Sequence, residues 1–89
     1  MIFIVSYDLN KQGQKYTELI DAIKQYPNWA CLGGSAYIIE TNKSHVEVRD
    51  DLEHHVDDND KLFVGQLSAP AAWRGYSEEV SNWILTKLK

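Results

Sequence analysis

The amino-acid sequence predicts an α+β domain built from four short strands and three helices. β-Branched and aromatic runs bounded by glycine, proline or asparagine mark the strands, and apolar residues at spacings of three and four mark the helices. The length of 89 residues fits a single domain, 1–89. With 44% hydrophobic and 25% charged residues, the chain can form a core and still stay soluble.

The first half of the chain predicts a strand, a helix and a hairpin. Residues 1–8 carry apolar side chains on both alternating faces, so we expect an interior strand. Residues 16–26 follow helical spacing, and the proline that comes next predicts the end of the helix. Gly33-Gly34 separates the strand-like segments 29–32 and 35–41, and such a pair readily adopts the positive φ angles of a tight hairpin.

The second half predicts a helix, a strand and a further helix. Ser44 and Glu47 have the spacing of a capping box, which indicates that the second helix begins there. Residues 61–67 predict the fourth strand, and residues 76–88 a third amphipathic helix with acidic side chains early and basic ones late. The order βαββαβ is that of a ferredoxin-like fold with an antiparallel four-stranded sheet and an additional C-terminal helix.

This order leaves one face of the sheet to be covered. The two crossover helices pack on one face, and a large exposed apolar patch on the other would be uncommon for a soluble monomer. Either the C-terminal helix folds over the open face or a second copy packs there. We expect a two-fold homodimer.

The charge balance limits the partners of the chain. Its net charge of -4 argues against a long basic surface that follows nucleic-acid phosphates, although it leaves room for a local contact with RNA or DNA. Acidic side chains crowd residues 47–60, where we expect a solvated helix face and loop. His54 and Asp58, at helical spacing, offer a weaker metal-binding alternative.

Other sequence features concern location and the single cysteine. The sequence has no apolar run near 18 residues, and its opening run is too short for a signal peptide, so we expect a cytoplasmic protein with no membrane partner. Cys31, the only cysteine, cannot form an internal disulfide. We expect Cys31 to be a buried core residue.

Asp8 is the sharpest candidate for chemistry. Aspartate is a poor strand former, and at the end of an apolar strand its carboxylate would be held on rigid backbone, as a metal ligand requires. Asp8 and Asn10 could equally start a turn. One carboxylate is a weak Mg²⁺ site, but two Asp8 residues brought together by a dimer axis could hold an ion that also binds phosphate. Such an ion could activate water for phosphodiester hydrolysis.

Two further pairs of residues are candidates for binding. Lys11 and Lys15 flank Gly13 before a helix start, where backbone amides can bind phosphate, so they are candidates for contact with substrate phosphates. The spacing is not that of a nucleotide-binding loop, and a structural turn is favoured there. Trp73 and Arg74 are candidates for a partner surface, since exposed aromatic residues and arginine commonly anchor proteins or stack on bases.

Three segments resemble the CRISPR-associated Cas2 family. They are Tyr7-Asp8-Leu9, Ser35-Ala-Tyr-Ile-Ile-Glu40 and Asp57-Asp-Asn-Asp-Lys-Leu-Phe-Val64, and the match spans residues 1 to about 68. The resemblance implies a ferredoxin-like fold and a symmetric dimer packed through its sheets, with Asp8 at the interface. It also implies that residues 68–76 add to the neighbouring protomer.

The resemblance leaves two functions open. Members of the family are known as metal-dependent nucleases or as non-catalytic dimeric scaffolds, which implies either a Mg²⁺-dependent endonuclease acting on RNA or DNA, or a scaffold or protein-interaction module. Many relatives carry arginine and glutamine shortly before the serine of the third strand, whereas this chain has Cys31 and Gly33. This departure, together with the acidity, argues against a role in spacer acquisition, and it leaves open whether the chain is a CRISPR-associated protein or a stand-alone Cas2-like relative.

Overall fold

A computed structural model describes residues 1–9 and 16–88 of the chain. In chain order the elements are β1 (Ile2–Asp8), α1 (Tyr16–Ile23), β2 (Asn28–Gly33), β3 (Ala36–Glu40), α2 (His45–Glu53), β4 (Lys61–Leu67) and α3 (Glu78–Lys87). The strands form one antiparallel sheet in the order β2-β3-β1-β4. The predicted ferredoxin-like α+β fold with an additional C-terminal helix is confirmed.

Local sequence signals account for the ends of several elements. The capping box of α2 is present, because Glu47 N donates to Ser44 Oγ at 3.1 Å and Ser44 N donates to the Glu47 carboxylate at 3.0 Å. Gly33 and Gly34 have φ angles of 90° and 55° at the hairpin, as their conformational freedom predicts. Helix α1 ends at Ile23, three residues before the predicted end, because the chain tightens there into a turn.

The main core lies between the sheet and the helices α1 and α2. The alternate residues Phe3, Val5 and Tyr7 of β1 are buried on this face. The remaining buried members of this core are Leu19, Ile23, Tyr26, Tyr37, Ile39, Val48 and Leu52. Strand β1 is interior, as predicted, since it pairs with β3 on one side and β4 on the other.

Helix α3 covers part of the opposite face. Ile84 is buried there against Ile2 and Ile38, and Lys87 Nζ donates to the Glu40 carboxylate at 3.1 Å. Of the two ways of covering this face that the sequence left open, the C-terminal helix accounts for the part around Ile2 and Ile38.

Surface features follow the charge pattern, with one exception. Acidic side chains between residues 47 and 60 are exposed apart from a half-buried Asp60, as expected for a solvated helix face and loop. The expectation that Cys31 is buried is wrong, because the residue lies on edge strand β2 and is exposed. Within residues 1–9 and 16–88, no helix has the length and apolar character needed to cross a membrane.

Candidate functional site

Asp8 lies at an exposed corner of the sheet. It is the last residue of β1 and stands directly opposite Lys61, the first residue of β4. Because directly opposed residues share a face of the sheet, the Asp8 carboxylate and the Lys61 ammonium lie on the same side. Alternation along β1 places both on the face that carries Ile2, which is the face that α3 partly covers.

An apolar area that α3 leaves uncovered adjoins this charged corner. Phe63 stands opposite Ser6 on the same face, and its side chain is 63% exposed. We call this area the open patch; it consists of Ile4, Ser6, Ala36, Phe63 and Gly65. All of its members other than Phe63 are half-buried.

Gly65 gives Phe63 its place in the open patch. A Cβ atom built at Gly65 would lie 2.7 Å from Cε1 of Phe63, so the ring of Phe63 lies over the glycine. A larger residue at position 65 would displace the ring. The open patch therefore presents an aromatic ring that rests on backbone and is open to solvent on its outer side.

A groove connects the open patch with the charged corner. It has a volume of about 390 Å³ and is lined by Ser6, Tyr7, Asp8, Lys61, Leu62 and Phe63. The groove combines one carboxylate, one ammonium group and one exposed aromatic ring. This arrangement can bind a surface that pairs apolar area with charges of both signs.

Asp8 alone does not make a complete metal site within one protomer. Among the residues that the structure describes, no cluster of three or more His, Cys, Asp or Glu side chains could hold a metal ion. Asp8 contributes one carboxylate beside a lysine, and Mg²⁺ bound mainly by protein needs further oxygen ligands. A second carboxylate would have to come from another copy of the chain.

The other predicted site residues are dispersed. Lys11 and Lys15 lie outside the described residues. Trp73 is half-buried and its indole N–H donates to Ser81 Oγ at 3.1 Å, so its ring packs beneath α3, whereas Arg74 is exposed. His54 caps the C-terminal end of α2, as expected for a solvated helix end.

Residues 68–76 form no strand and lead into α3. The addition of this segment to a neighbouring protomer stays a prediction.

A cluster of charged and polar side chains lies beside α2 rather than at Asp8. Lys43 Nζ donates to Asp51 Oδ2 at 2.6 Å, and Tyr26 Oη donates to the same oxygen at 3.0 Å. The hydrogen bond from Lys43 lowers the pKa of Asp51. Burial raises the pKa of Tyr26, and the hydrogen bond to Asp51 raises it further. The cluster fastens the turn after α1 to helix α2.

The exposed ring of Phe63 is the feature that sequence reasoning missed. The sequence predicts Phe63 within the fourth strand, but nothing in the strand pattern distinguishes it from the apolar residues beside it. The available signal was Gly65 two residues later, because a glycine inside a strand often marks a close approach by another group.

Comparisons with known proteins do not assign this chain to a family. No model of a known protein family matches it, and a search of curated proteins finds no match. The class of the protein rests on its fold and its site alone. It is an α+β ferredoxin-like domain with a partly covered sheet face and a charged corner at Asp8.

Proposed function

We propose that two copies of this chain associate through the open patch and that the dimer acts as a non-catalytic scaffold for a protein partner. The observation that carries the proposal is the 63% exposure of Phe63 on a sheet face that α3 covers only in part. Burial of an aromatic side chain of this size would contribute more to association than burial of any other residue of the open patch. The proposal includes that the chain is a relative of the Cas2 family, as the resemblance of residues 1 to about 68 implies.

Charge at the corner supports a two-fold arrangement. Each protomer carries one negative and one positive group at neighbouring positions, Asp8 and Lys61. A two-fold axis beside Phe63 can place each Asp8 against the partner's Lys61, so one surface is complementary to itself. The charge of the whole chain supports the scaffold role. Its net value of -4 disfavours binding to the phosphates of a nucleic-acid duplex and suits a protein partner.

Sedimentation of the full chain over a range of protein concentrations tests the dimer. We expect the apparent mass to rise from that of one chain, 10.2 kDa, towards that of two. High salt should weaken the association only modestly, since the apolar contact at Phe63 dominates it. A constant single-chain mass at every concentration would reject the dimer.

A second candidate function is a Mg²⁺-dependent phosphodiesterase acting on RNA or DNA. The observation that favours it is the exposed Asp8 carboxylate at the rim of the proposed interface, beside Lys61. In a dimer whose two-fold axis passes between the two Asp8 residues instead, their carboxylates would hold the ion, and Lys61 would lie near a substrate phosphate. Lys11 and Lys15 remain candidates for the same role from the sequence. When bound, Mg²⁺ would supply an activated water and neutralise charge on the phosphodiester.

Nuclease assays with matched variants separate the two functions. Purified protein is incubated with mixed RNA and DNA substrates with and without Mg²⁺, alongside Asp8→Asn and the control Asp21→Asn, which removes an exposed carboxylate from helix α1. Activity that requires Mg²⁺ and is lost only in Asp8→Asn supports the enzyme. Equal activity in all three proteins would show that Asp8 takes no part in catalysis. Inactivity of all three proteins would support the non-catalytic scaffold.

A further inference from the structure

A second groove lies at the other edge of the sheet, between β2 and helix α3. It has a volume of about 320 Å³. Its lining residues are Trp29, Ala30, Cys31, Ser77, Glu79, Val80 and Trp83. Strand β2 ends the sheet here, because among the described strands its only neighbour is β3.

The hydrogen bonds of β3 show which of its residues face β2. Thr41 N donates to Met1 O at 3.0 Å, and Tyr7 N donates to Ser35 O at 3.0 Å. The backbone groups of residues 35 and 41 therefore point towards β1. Since the direction alternates along an antiparallel strand, the even-numbered residues of β3 point towards β2.

This alternation identifies the backbone groups of β2 that do not face β3. Its residues Asn28 and Ala30 stand opposite Glu40 and Ile38, so their N–H and C=O groups bond to β3. The backbone groups of Trp29 and Cys31 then point away from the sheet and into the groove. The groove thus has a row of donors and acceptors with the spacing of a strand along one wall and the side chains of α3 along the other.

We propose that this groove takes an extended, basic segment of a partner protein, which adds to β2 as a fifth strand. Backbone hydrogen bonds to an edge strand supply affinity without regard to sequence, and pockets for alternate side chains supply specificity. The inference rests on the proposed scaffold function, since it states what kind of partner the scaffold holds.

The side chains of the groove define the chemistry of that segment. Alternate side chains of an added strand would face α3, where Val80 and Trp83 offer apolar contact and Glu79 offers a carboxylate. Among the lining residues that the structure describes, none is a lysine or an arginine. Lys24 already lies 5.0 Å from the ring centroid of Trp29, so an incoming cation is directed to Glu79 rather than to that indole.

A second copy of the chain fits this groove less well than a basic segment. If β2 paired with β2 of another copy, each α3 would come towards the other on the same side of the extended sheet. The two Glu79 carboxylates would then share one region without a basic group from the lining residues.

Amide hydrogen exchange measured by NMR on the full chain tests the inference. The probe is the capped peptide Thr-Val-Thr-Arg-Thr-Val-Thr, compared with a version carrying Glu at the centre and a version carrying Pro at two Thr positions. We expect the Arg peptide to slow exchange at Trp29 and Cys31 by about tenfold at ten times its dissociation constant. The amides of β4, the other edge strand, serve as the internal control.

Three variants separate the backbone and charge contributions. Glu79→Gln should reduce the preference for the Arg peptide over the Glu peptide by about two- to fivefold, the range for an exposed ion pair. Cys31→Pro removes one free N–H without removing a bond to β3, and should abolish binding, whereas Cys31→Ser should retain it. If Cys31→Pro fails to fold, the Pro peptide tests the same backbone hydrogen bonds from the side of the ligand, and it should not bind.

The possible results distinguish this inference from the dimer proposal. Protection of Trp29 and Cys31 by the Arg peptide, with weaker protection by the Glu peptide, supports the inference even if sedimentation finds only monomers. Protection that grows with protein concentration in the absence of peptide would instead show pairing between copies and overturn it. Equal binding of the Arg and Glu peptides would overturn the basic character of the segment.

Discussion

Replacement of Phe63 by serine should dissociate the proposed dimer while leaving the fold intact. A phenylalanine presents roughly 200 Å² of surface, so an exposure of 63% leaves about 125 Å² available for burial in an interface. A two-fold interface loses this area twice, which at about 25 cal/mol per Å² gives an upper limit of about 6 kcal/mol. Even a third of this limit, about 2 kcal/mol, corresponds to a dissociation constant about thirtyfold weaker.

The assay is sedimentation of Phe63→Ser over the concentration range in which the unmodified protein changes mass. Circular dichroism should be unchanged, because the side chain is mostly exposed and its replacement costs at most about 1 kcal/mol of strand propensity. Leu85→Ser is the matched control, since Leu85 is 68% exposed but lies on α3. Equal weakening by both variants, or none by either, would refute an interface at the open patch.

Three further predictions concern the stability of the fold. Ile84→Ala should lower the free energy of unfolding by about 2–4 kcal/mol in urea titrations, because it deletes the buried contact of α3; a value below about 1 kcal/mol would mean that α3 is loosely held. Ser44→Ala should cost about 1 kcal/mol in the same titrations through loss of the capping box, whereas Ser44→Asp should cost less. Asp51→Asn should cost under about 1 kcal/mol at pH 7, because the Asp51 side chain is 44% exposed and its ion pair with Lys43 is screened. The Lys43 hydrogen bond lowers the pKa of Asp51, so this difference should shrink as the pH falls below about 4 and the carboxyl is protonated; a difference that persists in acid would contradict the assignment.

The elements of the fold could be predicted from the sequence because each one carries a local signal. The Gly33-Gly34 pair, the capping box at Ser44 and the helical spacing before Pro27 each act within a few residues. These signals fix the type and order of the elements, and the order constrains the sheet topology. The end of α1 was placed three residues late, because the apolar spacing continues through Tyr26 although the backbone has already turned.

The covering of the second sheet face could not be predicted in the same way. Its apolar residues, Ile2 and Ile38, require burial, but the sequence does not state whether the cover comes from the same chain or from another. The answer depends on whether α3 docks, and docking depends on contacts between residues far apart in sequence. The prediction that Cys31 is buried is wrong for a related reason, since a cysteine on an edge strand has the same local sequence pattern as one in a core.

The order of the strands lets the two proposed surfaces operate together. Strands β2 and β4 form opposite edges of the sheet, with β3 and β1 between them, which separates the edges by roughly 14 Å at the usual spacing of about 4.8 Å. Helix α3 contacts β2 and leaves Phe63 on β4 exposed. A dimer joined at the open patch would therefore keep both β2 grooves free. Such a dimer would hold two extended segments at once, and a partner that carries two basic segments would bind more tightly than either segment alone, without any new contact.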